Sequence, residues 1–160
     1  MKDTALHMDV HNDEVFASHT GLCLVDLVAP LEMAERLRVL IVEDDEADIF
    51  LIKRALARNP RIGEVVVAHD GIEALQLIDH WATELDLAIV DLHMPRKDGL
   101  SLLRDFALRD TPKFPMVVLT SSRYGADAVR ARKRGAFAYL VKPNTVAKLA
   151  TVLDEVIAMI

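Results

Sequence analysis

A single cysteine, Cys23, among 160 residues excludes an internal disulfide and any site built from paired thiols, and it points to a reducing compartment, the cytoplasm. Gly and Pro are also scarce, six of each, which excludes a repetitive or Pro/Gly-rich disordered chain. No apolar run approaches the roughly 20 residues that a bilayer-spanning helix needs, and Met1-Lys2-Asp3 does not open a signal peptide. Positive charge is not in excess: 19 Lys and Arg face 25 Asp and Glu, a formal charge of −6. A nonspecific nucleic-acid binder and a polybasic membrane-surface protein are therefore both disfavoured. Hydrophobic residues, by contrast, make up 52% of the chain, enough for one core that buries roughly 70% of the extended surface.

The negative charge is unevenly placed. Residues 1–36 hold two basic and seven acidic side chains, so the remainder is nearly balanced and its acids must sit where they do for local reasons. That first segment also holds three of the six His residues and one apolar run, Leu22 to Val28, that fits helix or strand equally. It is read as an N-terminal extension, residues 1–36, ahead of a domain over 37–160. Met33 stands before the domain much as a start codon would, so residues 1–32 are expected to be dispensable for folding, as a self-association arm or an over-extended start.

From Arg38 onward, short β-branched apolar runs alternate with segments of 3.6-residue period, the rhythm of a parallel sheet covered on both faces. Strands are expected at Arg38–Val42, Val65–Ala68, Leu87–Val90, Met116–Leu119 and Ala138–Val141. Helices are expected at Asp48–Arg58, Gly71–Trp81, Leu100–Leu108, Tyr124–Arg134 and Thr145–Met159. The fold class is α/β: a doubly wound five-stranded parallel sheet with five helices. On the first helix, Ile49, Ile52 and Leu56 share a stripe that leaves Phe50 facing out. On the last, Leu149, Ala150, Leu153, Val156, Ile157 and Ile160 form a core-facing stripe. Val152 and Met159 fall outside it as a second apolar strip, suited to pairing two copies through the face of helix 145–159 or to binding a partner.

In an open parallel sheet the working crevice lies beyond the carboxyl ends of the strands. Strand one is followed there by Glu43-Asp44-Asp45, strand three by Asp91, strand four by Thr120-Ser121-Ser122 and strand five by Lys142-Pro143. Carboxylates converging on one crevice repel one another unless a cation joins them, and hard oxygen donors suit Mg2+. A carboxylate beside a divalent ion, an ammonium and a hydroxyl is equipped to attack phosphorus, with Asp91 as the nucleophile. Each acid taken singly also fits a helix N-cap or a solvated loop.

The blocks Arg38-Val39-Leu40-Ile41-Val42-Glu43-Asp44-Asp45, Val90-Asp91-Leu92-His93-Met94-Pro95-Arg96-Lys97-Asp98-Gly99, Val118-Leu119-Thr120-Ser121 and Tyr139-Leu140-Val141-Lys142-Pro143 resemble the receiver domain of bacterial response regulators. The resemblance implies a flavodoxin-like receiver fold. It implies an acidic pocket of Glu43 and Asp44, with Mg2+ on Asp44, Asp91 and the backbone carbonyl of His93. It implies Asp91 as acceptor of a phosphoryl group from a sensor histidine kinase, Thr120 and Lys142 binding phosphoryl oxygens, and Tyr139 as an aromatic switch following Thr120. It further implies a cis peptide before Pro143. In this family the side chain two positions after the acceptor tunes hydrolysis of the acyl phosphate. Here it is His93, which could orient water or shield the phosphate.

Arg96-Lys97-Asp98-Gly99 is similar to the acceptor loop of single-domain receivers that accompany phytochrome-type kinases. Only 18 residues follow Lys142, one helix's worth, so the expectation is a phosphoacceptor without an output domain, acting on a protein target or a phosphotransfer protein. It would catalyse its own phosphorylation and dephosphorylation rather than act as a conventional enzyme. The basic run Arg130, Arg132, Lys133 and Arg134 is read as a solvated face or an acidic-partner patch rather than a nucleic-acid site. Aspartate-nucleophile phosphatases are disfavoured because His93 stands where their second Asp belongs. Nucleotide-binding modules are disfavoured because no Gly-x-x-x-x-Gly-Lys occurs. A receiver-like docking module that is never phosphorylated is the remaining alternative.

Overall fold

A computed structural model of the chain describes residues 36–111 and 113–160; the N-terminal extension, apart from Arg36, and the questions of Leu22 to Val28 and Met33 lie outside the described residues. Five strands, β1 (Leu37–Val42), β2 (Ile62–Ala68), β3 (Leu87–Val90), β4 (Met116–Thr120) and β5 (Ala138–Val141), form one parallel sheet in the order β2-β1-β3-β4-β5. The connections are α1 (Glu46–Leu56), α2 (Gly71–Trp81), α3 (Gly99–Ala107) and α4 (Gly125–Lys133), and α5 (Val146–Ile157) closes the fold. The chain leaves β1 outward to β2 and then returns to pair β3 on the other side of β1. The switch point therefore opens a crevice between the carboxyl ends of β1 and β3.

Strand periodicity sorts the core into two layers. Leu40 and Val42 of β1, Ala88 and Val90 of β3 and Met116 and Val118 of β4 pack with Ala74, Leu75 and Ile78 of α2, Leu102, Leu103 and Phe106 of α3 and Ala131 of α4. The alternate residues Val39, Ile41, Leu87, Ile89, Val117 and Leu119 pack with Ile52, Ala55 and Leu56 of α1 and Leu149, Ala150, Leu153, Val156 and Ile157 of α5. Central strands apolar on both faces are what helices on both faces require. Among the described residues no helix is long and apolar enough to cross a membrane.

Helix boundaries follow the caps. The Asp45 side chain accepts from the Ala47 and Asp48 amides, so α1 begins two residues before the expected Asp48 and stops at Leu56 rather than Arg58. Asp70 caps α2, Asp98 caps α3 and Thr145 caps α5, while α4 gives way at Gly135, which has φ +90°. On α1 the stripe is as expected: Ile49, Ile52 and Leu56 are buried and Phe50 is 60% exposed.

The expected strip of Val152 and Met159 is corrected. Val152 is half-buried against the core because α5 packs on α1 as well as on the sheet. Asn59 donates to Asp154 Oδ1 at 2.7 Å and Arg61 to the Ile157 carbonyl at 2.6 Å along that seam. Met159 and Ile160 lie past the last turn, so the projection that placed them on helix faces does not apply, and both are exposed. Leu153→Ala is expected to cost about 2–5 kcal/mol in urea unfolding, the range for a fully buried leucine, and Met159→Ala no more than about 0.5 kcal/mol.

Candidate functional site

Two sequence blocks reach the β1/β3 crevice from below. Glu43 and Asp44 follow β1 directly, and Asp91 follows β3, its amide donating to the Val42 carbonyl. One carboxylate oxygen each of Glu43, Asp44 and Asp91 lies within 4.8 Å of the others. Glu43 is buried, Asp91 is 6% exposed and Asp44 opens to solvent. Three anionic oxygens so close are stable only with compensating charge, and the donor set, all hard carboxylate oxygen with one side open to water, fits a divalent cation such as Mg2+.

The compensating charge within the chain is Lys142, delivered from the end of β5. Its Nζ donates to Glu43 Oε2 and to Asp48 Oδ2, each at 2.6 Å, and stands 3.5 Å from Asp91 Oδ1. Burial by itself would lower the Lys142 pKa, but the hydrogen bonds to Asp48 and Glu43 and the charge of Asp91 outweigh it and hold the ammonium above its ordinary range. Burial pushes the Glu43 carboxyl up, against the opposing pull of Lys142. Asp91 also accepts at Oδ2 from the His93 amide, at 2.8 Å, which aims its other oxygen toward Lys142. The His93 ring itself is exposed.

The loop after Asp91 is strapped down. Gly99 donates to the Leu92 carbonyl, and a Cβ on Gly99 would lie 2.1 Å from the Asp91 carbonyl oxygen, so only glycine lets the loop close there. Arg96 adopts φ +62° and pairs with Asp70, whose carboxylate is buried beneath the start of α2. The Gly71 amide donates to the Lys97 carbonyl, and Lys97 pairs with Asp105 on α3.

On the other side of β3, Thr120 ends β4 fully buried, its Oγ1 accepting from the Ser122 amide and its carbonyl from the Lys142 amide. Ser122 in turn donates to Asp127 at 2.5 Å, and the Tyr139 hydroxyl donates to the Ser122 carbonyl at 3.0 Å. The Ser122 hydrogen bond, and then Arg130, hold the Asp127 carboxyl below its usual range. Tyr139 is thus linked to Thr120 by hydrogen bonds through Ser122.

The fold therefore brings Glu43, Asp44, Asp91 and Lys142 into one cluster and sets Thr120 at the same end of the neighbouring strand. Asp45 is a helix cap, the plainer of its two readings. The expected cis peptide before Pro143 is corrected: among the described residues every peptide is trans, and Lys142 is directed instead by its amide bond to Thr120 and by its two carboxylate partners. Asp48, Asp70 and Asp127 were not picked out from sequence, and Ser122 was named only as part of the run after strand four. Asp48 had a signal, since it follows Asp44 by four residues at the start of a helix and so rises over the same end of the sheet.

These features coincide with a known family. A family model for the response regulator receiver domain matches residues 39–154. The chain belongs to the response regulator receiver family. The receiver is 38% identical over 106 residues to the transcriptional regulatory protein CpxR of Escherichia coli (strain K12), covering 66% of this chain and 43% of that protein. It is 37% identical over 114 residues to the response regulator MprA of Mycobacterium avium (strain 104), covering 71% of this chain and 47% of that protein. The chain thus spans less than half the length of these curated relatives. Among solved structures, the phosphorylated cyanobacterial phytochrome response regulator RcpA superposes with a TM-score of 0.69 at 29% identity, over 76% of this chain and 91% of that one. The Mn2+-bound form of response regulator Rcp1 superposes with a TM-score of 0.66 at 25% identity, over 75% and 91%. The receiver family is a phosphoacceptor signalling family, not one of conventional enzymes.

Because the three carboxylates repel one another in the receiver without a cation, Mg2+ at about 100 times its Kd is expected to raise stability by about 2.7 kcal/mol. Asp44→Asn and Asp91→Asn should each abolish most of that gain, as read by thermal unfolding with and without the metal.

Proposed function

We propose that Asp91 is the phosphoacceptor of this receiver, in two-component or phosphorelay signalling, and that its phosphorylation switches a protein-interaction surface. The observation that carries the reading is the placement of the Asp91 carboxylate at the switch point, between the acids of β1 and the Lys142 ammonium. An Asp91 oxygen attacks phosphorus of a kinase phosphohistidine, the new O–P bond forms as the P–N bond breaks, and the product is an aspartyl phosphate. Asp44, Asp91 and the His93 backbone carbonyl would hold Mg2+, with Glu43 completing the acidic pocket. When bound, the ion neutralises charge on the transferring oxygens. Lys142 and the Thr120 hydroxyl take the remaining phosphoryl oxygens. A turn of Thr120 toward the phosphate disturbs the Ser122 amide that it now accepts from, and Tyr139 is bonded to that same residue. Hydrolysis returns Asp91 to its carboxylate when water attacks phosphorus, and His93, two residues on and exposed, tunes that rate by orienting water or by shielding the phosphate.

The partner is a sensor histidine kinase of phytochrome type. The Arg96-Lys97-Asp98-Gly99 loop and the likeness to RcpA support this. Docking uses the exposed Phe50 on α1. Downstream, the receiver acts on a protein target or a phosphotransfer protein in the cytoplasm.

Acetyl phosphate with Mg2+ is expected to add one phosphoryl mass to the full chain and none to Asp91→Asn; an undiminished gain in the variant contradicts the assignment. Phe50→Ala should slow transfer from the cognate kinase about tenfold while leaving labelling by acetyl phosphate unchanged. Equal rates from both donors in the variant and the wild type would remove Phe50 from the interface.

A further inference from the structure

Lys142 faces three carboxylates but holds only two of them at hydrogen-bond distance. An ammonium carries three N–H donors; two are committed to Glu43 and Asp48 at 2.6 Å, and Asp91 waits at 3.5 Å, beyond hydrogen-bond distance. The two holds are unequal. The Glu43 side chain is 3% exposed and the Asp48 side chain 33%. Releasing Glu43 would strand a buried carboxylate, whereas releasing Asp48 returns a carboxylate to water at little cost. Asp48 is therefore the contact that yields when another anion claims the ammonium. Glu43 stays as its anchor.

We infer that Asp48 is a positioning residue that parks Lys142 away from Asp91 until a phosphoryl oxygen replaces it. The inference rests on the phosphoacceptor reading of Asp91. Parking has two opposed effects. Without it the ammonium would close on Asp91 and compete with the metal for that carboxylate, so parking favours Mg2+ binding. With it, one charge-assisted hydrogen bond must break before Lys142 can reach the transferring group, so parking slows phosphorylation. Since Asp48 stands in the first turn of α1, two residues before Phe50, the release also leaves an unpaired carboxylate on the helix proposed to meet the kinase.

The test uses the full chain, acetyl phosphate as donor and intact mass as readout; the Asp91 O–P bond forms as the acetyl phosphate P–O bond breaks, and acetate leaves. Asp48→Asn is isosteric and leaves the Asp45 cap bonds to backbone amides in place. It should raise the phosphorylation rate at saturating Mg2+ by roughly three- to tenfold and raise the Mg2+ Kd by a similar factor in calorimetry. Asp48→Glu, which restores a carboxylate, should move both values back toward the wild type. In a Lys142→Ala background Asp48→Asn should no longer change the rate, because nothing remains to be parked. An unchanged or slower rate in Asp48→Asn, or an acceleration that persists without Lys142, overturns the inference alone. Absence of labelling in the wild type, or labelling that survives Asp91→Asn, instead removes the phosphoacceptor reading and the parking role with it.

Discussion

Like charge gathered at one point of a sheet is the constraint on which this receiver is built. Glu43, Asp44 and Asp91 are brought within 4.8 Å by strand pairing, a backbone arrangement that does not depend on their charges. The apolar strands beneath, buried on both faces, supply the stability that the acids withdraw. Functional sites commonly carry strain that the rest of a fold supports. Among the described residues the compensation is the Lys142 ammonium, which follows β5 directly.

That arrangement explains why the loops around the crevice are so heavily tied. A carboxylate cluster can serve a cation or a phosphoryl group only if its geometry survives the loss or gain of charge. The loop after Asp91 is pinned by the close approach of Gly99, by Arg96 on the buried Asp70 and by Lys97 on Asp105. The segment after β4 is different in kind. Thr120, Ser122, Asp127 and Tyr139 form a relay of hydrogen bonds with one half-exposed end, and such a relay can exchange partners without unfolding anything. One side of β3 is thus held by several straps and the other by a chain of hydrogen bonds.

Much of this was legible in the chain. The strand rhythm, the acids after β1 and β3, the hydroxyl after β4 and the lysine after β5 follow from period and position, because strand ends in a parallel sheet must converge on one crevice. The apolar stripe of α1 and the outward Phe50 came from helical period alone, and the buried positions of α5 did too. Projection failed twice on α5: Val152 packs on the core because the helix also meets α1, and Met159 and Ile160 lie beyond the end of the helix at Ile157, where a helical wheel no longer applies. The peptide before Pro143 was expected to be cis by family resemblance and is trans, since nothing in the local sequence specifies the isomer.

The order of apolar and acidic residues thus determined by itself the fold class, the core faces and the end of the sheet where chemistry gathers, because these depend on periods of two and 3.6 residues that any reader of the chain can count. Which carboxylates share Lys142 was decided only in three dimensions. Residues 43, 48, 91 and 142 lie on four different elements or their ends, and distances of 2.6 Å and 3.5 Å separate the carboxylates that Lys142 hydrogen-bonds from the one it only faces. A difference of that size arises from helix caps, loop straps and packing acting together, and no local pattern encodes their sum.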